Sequence, residues 1–143
     1  MKKQLVSLFM LISVSASAAT FEAEIEARQD AYSGIKDNVE AVGGMLESGQ
    51  FDYAKFEMLG EALTKHSSSL KTLFPEGSQE GSNAKKAVWK DFEKFSTNLD
   101  KLDQGFQDFY AAAKVQDQAA LVAGFKDATG TCKGCHRKFR NKK

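Results

Sequence analysis

Within the segment Cys132-Lys133-Gly134-Cys135-His136, nucleophilic and metal-ligating side chains stand together at a spacing with defined chemistry. C-x-x-C-H is the attachment signature of a c-type haem. Each thiol adds across one haem vinyl group to form a thioether, and the adjacent imidazole binds the iron. On a helix, residues three and four apart share a face, so Cys132, Cys135 and His136 would all address one planar ligand. They include the only two cysteines of the 143 residues. Two other chemistries use the same side chains. A thioredoxin-type dithiol needs a βαβ setting, whereas the surrounding sequence is helical in pattern. A structural zinc site takes four protein ligands, and the only other histidine is His66.

The start of the chain supplies an address. Lys2 and Lys3 precede the apolar run from Leu5 to Val14, and Ala16-Ser17-Ala18 follows as a small-residue cleavage site. This pattern predicts a secretory signal peptide over residues 1–18, with an apolar run too short to span a bilayer. Cleavage there leaves a single domain, residues 19–143, long enough to bury a sizeable core. Export to a periplasm suits covalent haem attachment. No later segment is apolar enough for a membrane anchor, so no membrane partner is expected.

Net charge is uninformative as a whole: from residue 19 onward, 18 basic residues face 19 acidic ones. Nothing there points to nucleic acid. Locally, Arg137, Lys138, Arg140, Lys142 and Lys143 crowd the C-terminal end. They read either as cations offsetting a helix C-terminal dipole or as a docking patch near the haem edge.

Four amphipathic segments must position the motif. The first, about 22–47, carries Phe21, Ile25, Arg28, Tyr32, Ile35, Val39, Val42 and Leu46 at alternating steps of four and three. An arginine thus occupies an otherwise apolar stripe. Ser48-Gly49 reads as its stop. Asp52 caps the second segment, whose stripe of Phe56, Leu59, Leu63, His66, Leu70 and Leu73 ends at Pro75. Residues 75–81 are turn-rich and read as a mobile loop. The third segment is expected to start at Ser82 or Asn83 and to run through Val88, Phe92, Phe95, Leu99, Leu102, Phe106 and Phe109, flanked by Trp89. The fourth begins near Asp117 and continues through Leu121, Phe125, Ala128, Cys132, Cys135 and Phe139. Four such helices with short connections predict an all-α, antiparallel up-down-up-down bundle. That topology sets Arg28 and Tyr32 level with Cys132–Arg140, beside Leu70, Trp89 and Phe92.

The combination resembles cytochrome c′, the class II c-type cytochromes, a family that itself exemplifies this bundle. The resemblance covers nearly all of residues 19–143. It rests on C-x-x-C-H near the C-terminus, Arg140 four residues later, Trp89 opening the third helix, and Arg28-x-x-x-Tyr32 in the first. It implies one covalent haem c on Cys132 and Cys135, with His136 as the iron ligand. Tyr32 takes the distal position. Methionine there gives a six-coordinate, low-spin electron carrier. A neutral phenol ligates iron poorly, so tyrosine implies a five-coordinate iron under a bulky lid that admits nitric oxide or carbon monoxide. The alternative for Tyr32 is an ordinary core aromatic.

Arg28 corresponds to the family arginine that pairs with a haem propionate; an i,i+4 pair with Glu24 is the competing reading. Arg140 corresponds to the basic residue beside the proximal histidine. Trp89, Phe92 and Leu70 are read as packing that also walls the haem. His66 is expected to be a half-exposed or interface residue rather than a ligand. Met45 lies about 20 Å along the helix from Tyr32 and cannot share its iron. The implied role is gas binding or electron transfer without substrate turnover, with an unnamed redox partner and a homodimer through helices one and two.

Overall fold

A computed structural model describes residues 20–142; the expected signal peptide, residues 1–18, lies outside them. The elements are α1 (Glu22–Glu47), α2 (Tyr53–Ser69), a 3-10 turn (Leu70–Thr72), α3 (Ala87–Lys90), α4 (Phe92–Lys114), α5 (Gln118–Gly130) and α6 (Cys132–Phe139). They form a four-helix bundle of α1, α2, α3–α4 and α5–α6. α2 packs on α1 and α4, and α4 packs on α5. Among the described residues no helix is long and apolar enough to cross a membrane.

Helix ends follow local chemistry. Asp52 accepts a hydrogen bond from the Lys55 amide at 3.1 Å, and Asp117 accepts one from Ala120 at 3.0 Å, so each supplies the side-chain cap that a helix start needs. After α1 the chain turns at Gly49, φ +68°. Gln50 N donates to Met45 O and Gly49 N to Leu46 O, the paired bonds of a Schellman stop.

The core is a run of aromatic and aliphatic side chains, with Phe56, Leu63, Leu70, Phe106, Phe109 and Leu121 fully buried. Backbone proximity sets the α4–α5 crossing. A Cβ on Gly105 would stand 2.5 Å from Ala128 N, and one on Gly124 would stand 2.6 Å from Phe109 N. Only residues without a side chain permit that approach, and it fixes where α5 delivers the motif that follows.

Two expectations need correction. The third segment does not become helical at Ser82 or Asn83. Ala84 instead pairs antiparallel with Arg140; Lys85 N donates to Phe139 O and Asn141 N to Asn83 O, both at 2.8 Å. The backbone is taken up by a partner over fifty residues away, so helix begins only at Ala87. It then breaks at Asp91 (φ −135°, ψ 53°) before α4. The fourth segment is likewise split at Thr131 into α5 and α6.

Candidate functional site

α6 places Cys132, Cys135 and His136 on one turn and a half of helix. Phe139, one step further, is buried against Phe95 with ring centroids 5.2 Å apart, and this anchors the helix on the core. The antiparallel pair at Ala84 and Arg140, the Lys85 Nζ bond to Arg137 O (2.9 Å) and the Lys138–Asp91 ion pair hold its outer side. Cys132 and Cys135 are half-buried and not linked to each other. Burial raises the pKa of both thiols, and Cys132 adds to the rise at Cys135. His136 is at the rim; its pKa is lowered first by the burial it has and then by the Arg140 cation.

α1 supplies the facing side. Tyr32 packs against the core, and burial pushes its phenol well above the ordinary value near 10. The Cys135 and Cys132 sulfurs push it the same way, while Arg28 pulls it down. Both thiols therefore lie within electrostatic reach of Tyr32. α1 approaches α2 closely but has no comparable backbone approach to α4, α5 or α6. The seam between the first and last helices is therefore spanned by side chains.

Arg28 is 3 % exposed. Nη1 donates to Leu73 O (3.0 Å) and to Ser78 Oγ (2.9 Å), and Nη2 donates to Ser78 O (2.5 Å). The guanidinium also lies over Phe74, 4.7 Å from the ring centroid, with Trp89 at 5.9 Å. Trp89 Nε1 donates to Pro75 O at 2.9 Å. Residues 73–78 are thus gripped from α1 and α3, and Ser78 has no exposed surface; the expected mobile loop is pinned at its centre. A guanidinium has five N–H groups, so Nε–H and one Nη2–H remain.

Leu70 is buried as expected, but Phe92 is 40 % exposed, because the break at Asp91 turns it outward. His66 is half-buried in the α1–α2 seam, where a Cβ on Gly34 would lie 2.3 Å from its Nε2. Gly34 is two residues, or about 200° of helix rotation, from Tyr32, so His66 lies away from the thiols. Sequence reasoning missed Phe74, Ser78 and Asp91. The signal available was Arg28 itself, since a buried guanidinium requires acceptors.

Residues 23–140 match the family profile described as Cytochrome C′. This chain belongs to the cytochrome c′ family. The cytochrome c′ of Rubrivivax gelatinosus is 36% identical over 122 residues, 82% of this chain and 94% of that one. That of Rhodospirillum rubrum is 31% identical over 127 residues, covering 87% and 86%. A solved point mutant of cytochrome c prime from Alcaligenes xylosoxidans, in complex with nitric oxide, superposes with a TM-score of 0.78 at 27% identity, over 89% of this chain and all of that one. Cytochrome c′ proteins bind haem c covalently through two cysteines, here Cys132 and Cys135. The chain's own residues fit that group: two unlinked thiols, an adjacent imidazole, and a partly buried tyrosine on α1, whose backbone stays apart from that of α6.

Proposed function

We propose that the protein is an exported, periplasmic cytochrome c′ that binds nitric oxide or carbon monoxide at a five-coordinate, high-spin iron and exchanges single electrons, without turning over a substrate. Bound haem c supplies the one-electron iron couple and an open coordination position. The remaining roles fall to side chains. Cys132 and Cys135 would carry the thioethers and His136 would bind the iron, with the Arg140 cation beside the imidazole. Tyr32 would cover the open coordination position from α1. With its pKa raised this far, the phenol stays neutral across the physiological range, and a neutral phenol acts as a lid rather than a ligand. Arg28 offers its two remaining N–H groups to a propionate, and Trp89 buttresses the loop that orients it. The nitric oxide complex of the Alcaligenes mutant supports the choice of gas.

The observation that carries this reading is a partly buried Tyr32 packed on the core face of α1, with both cysteine sulfurs near enough to act on its phenol electrostatically. Absorption spectra and stopped-flow mixing with carbon monoxide test it. The wild type should show a broad high-spin Soret band. Tyr32→Ala should bind carbon monoxide faster, and Tyr32→Met should move toward a low-spin, six-coordinate spectrum. Sharp low-spin bands in the wild type would make it a plain electron carrier. The same proposal includes removal of residues 1–18 on export, read by N-terminal sequencing, and a homodimer through α1 and α2, read by sedimentation.

A further inference from the structure

Charge is distributed unevenly over this nearly neutral chain. Residues 83–94 and 130–142 hold nine lysines or arginines and two acids, a net of +7. The other residues between 20 and 142 hold eight against seventeen, a net of −9. The two basic segments are one surface in space. They are joined by the pairing of Ala84 with Arg140, by the backbone bonds of Asn83 and Lys85, and by Lys85 Nζ on Arg137 O. One of the two acids, Asp91, is already held by Lys138. Glu80 borders the surface across a shallow hollow that Lys85, Lys86 and Asn141 also line. The two propionates of a bound haem would leave the sum positive.

This surface also has an apolar component. Phe92, one of the few large exposed hydrophobic side chains among the described residues, follows Asp91 directly. It stacks on Phe95, ring centroids 6.1 Å apart, which in turn meets Phe139 of α6. An exposed aromatic, flanked by Asp91 and Glu93 on a surface of net positive charge, matches the anatomy of a small protein interface. α6 is only eight residues long and its Phe139 is buried in the core rather than free to enter a bilayer, which favours a protein surface over a lipid one.

We infer that the end of the molecule bearing Cys132–His136 is a docking surface for an acidic electron-transfer protein. Lys86, Lys90, Lys94, Lys133 and Arg137 supply the charge, and Phe92 the contact. The negative remainder orients the molecule during approach, since a strong charge asymmetry steers encounter. The inference uses the haem reading only to say what the contact is for.

The test uses holoprotein with a bacterial flavodoxin as the acidic probe. A triple variant, Lys86→Glu with Lys90→Glu and Arg137→Glu, changes only exposed side chains. Lys55→Glu with Lys114→Glu and Lys126→Glu is the equal-charge control. Steered association is commonly about 10- to 1000-fold faster than unsteered. Reduction by flavodoxin hydroquinone at low salt should therefore slow at least about tenfold in the first variant and much less in the control, and the difference should vanish at high salt. Amide NMR of the labelled protein titrated with flavodoxin should map shifts to residues 83–94 and 130–142, an assay that needs no electron transfer. Equal slowing in both variants, or shifts elsewhere, would overturn the proposal. So would charge-dependent sedimentation with phosphatidylglycerol vesicles in the absence of any flavodoxin effect, which would assign the surface to lipid. A spectrum without haem would fail the functional reading but leave the amide map to decide this one.

Discussion

Replacing Arg28 with leucine is the most discriminating perturbation of the α1 side. On the stripe alone, leucine would complete an apolar face and leave the bundle untouched. The hydrogen bonds argue otherwise. Leucine removes three donors and strands Leu73 O, Ser78 O and Ser78 Oγ, the last two on a residue without exposed surface. A hydrogen bond from a charged donor contributes about 1.5–3 kcal/mol net, and neighbouring ones do not simply add. Leucine burial returns about 1.5 kcal/mol or more. The expected net loss is about 2–4 kcal/mol. For a domain of this size that lowers Tm by about 8–16 °C. Urea unfolding of Arg28→Leu, Ser78→Ala and the double variant is the assay. The two changes should be non-additive over the one bond that both remove, Arg28 Nη1 to Ser78 Oγ, while the bonds to Leu73 O and Ser78 O are lost only in Arg28→Leu. A loss under about 1 kcal/mol, with an altered haem spectrum, would refute the reasoning: residues 73–78 would be held by something else, and Arg28 would act on the cofactor alone.

Two further outcomes follow from packing and burial. Gly105→Ala drives a Cβ into the α5 backbone, and such overpacking costs about 1–3 kcal/mol; thermal melts should show the loss, whereas Gly43→Ala, with open space around its Cβ, should stabilise α1 by about 0.5–1 kcal/mol. Tyr32 has its folded-state pKa raised, so its contribution is intact below the unfolded value near 10 and is lost as pH rises beyond it, by about 1.4 kcal/mol per pH unit. Tyr32→Phe should remove that alkaline slope, and equal slopes in denaturant titrations of the two proteins would contradict the burial.

Much of the fold was legible because its signals are local. Asp52 caps the helix it was expected to cap, the fourth segment begins at Asp117 as expected, Ser48-Gly49 stops α1, and the four-three spacing of Phe95, Leu99, Leu102, Phe106 and Phe109 marks a buried face. The misread places depend on distant partners. Residues 82–86 look like the first turn of a helix, but Phe139 and Asn141 take up their backbone groups, and nothing nearby in sequence announces that. The outward turn of Phe92 depends on the break at Asp91, which carries no glycine or proline. At the site, the motif and the Arg28–Tyr32 pair could be read from type and spacing. Ser78 could not, because a serine in a turn-rich stretch looks solvated until the guanidinium that buries it is known.

The seam between α1 and α6 bears on how the protein is assembled. Tyr32 and Cys132 are 100 positions apart, so the first wall of the site waits for nearly the whole chain before its counterpart arrives. Until then α1 is held chiefly by α2, while α6 is strapped to the residues leading into α4. The two cysteines that hold the haem, and the histidine proposed to bind its iron, all belong to the late half. On the proposed function, a haem held by Cys132 and Cys135 beside Tyr32 would clasp an early helix to a late one.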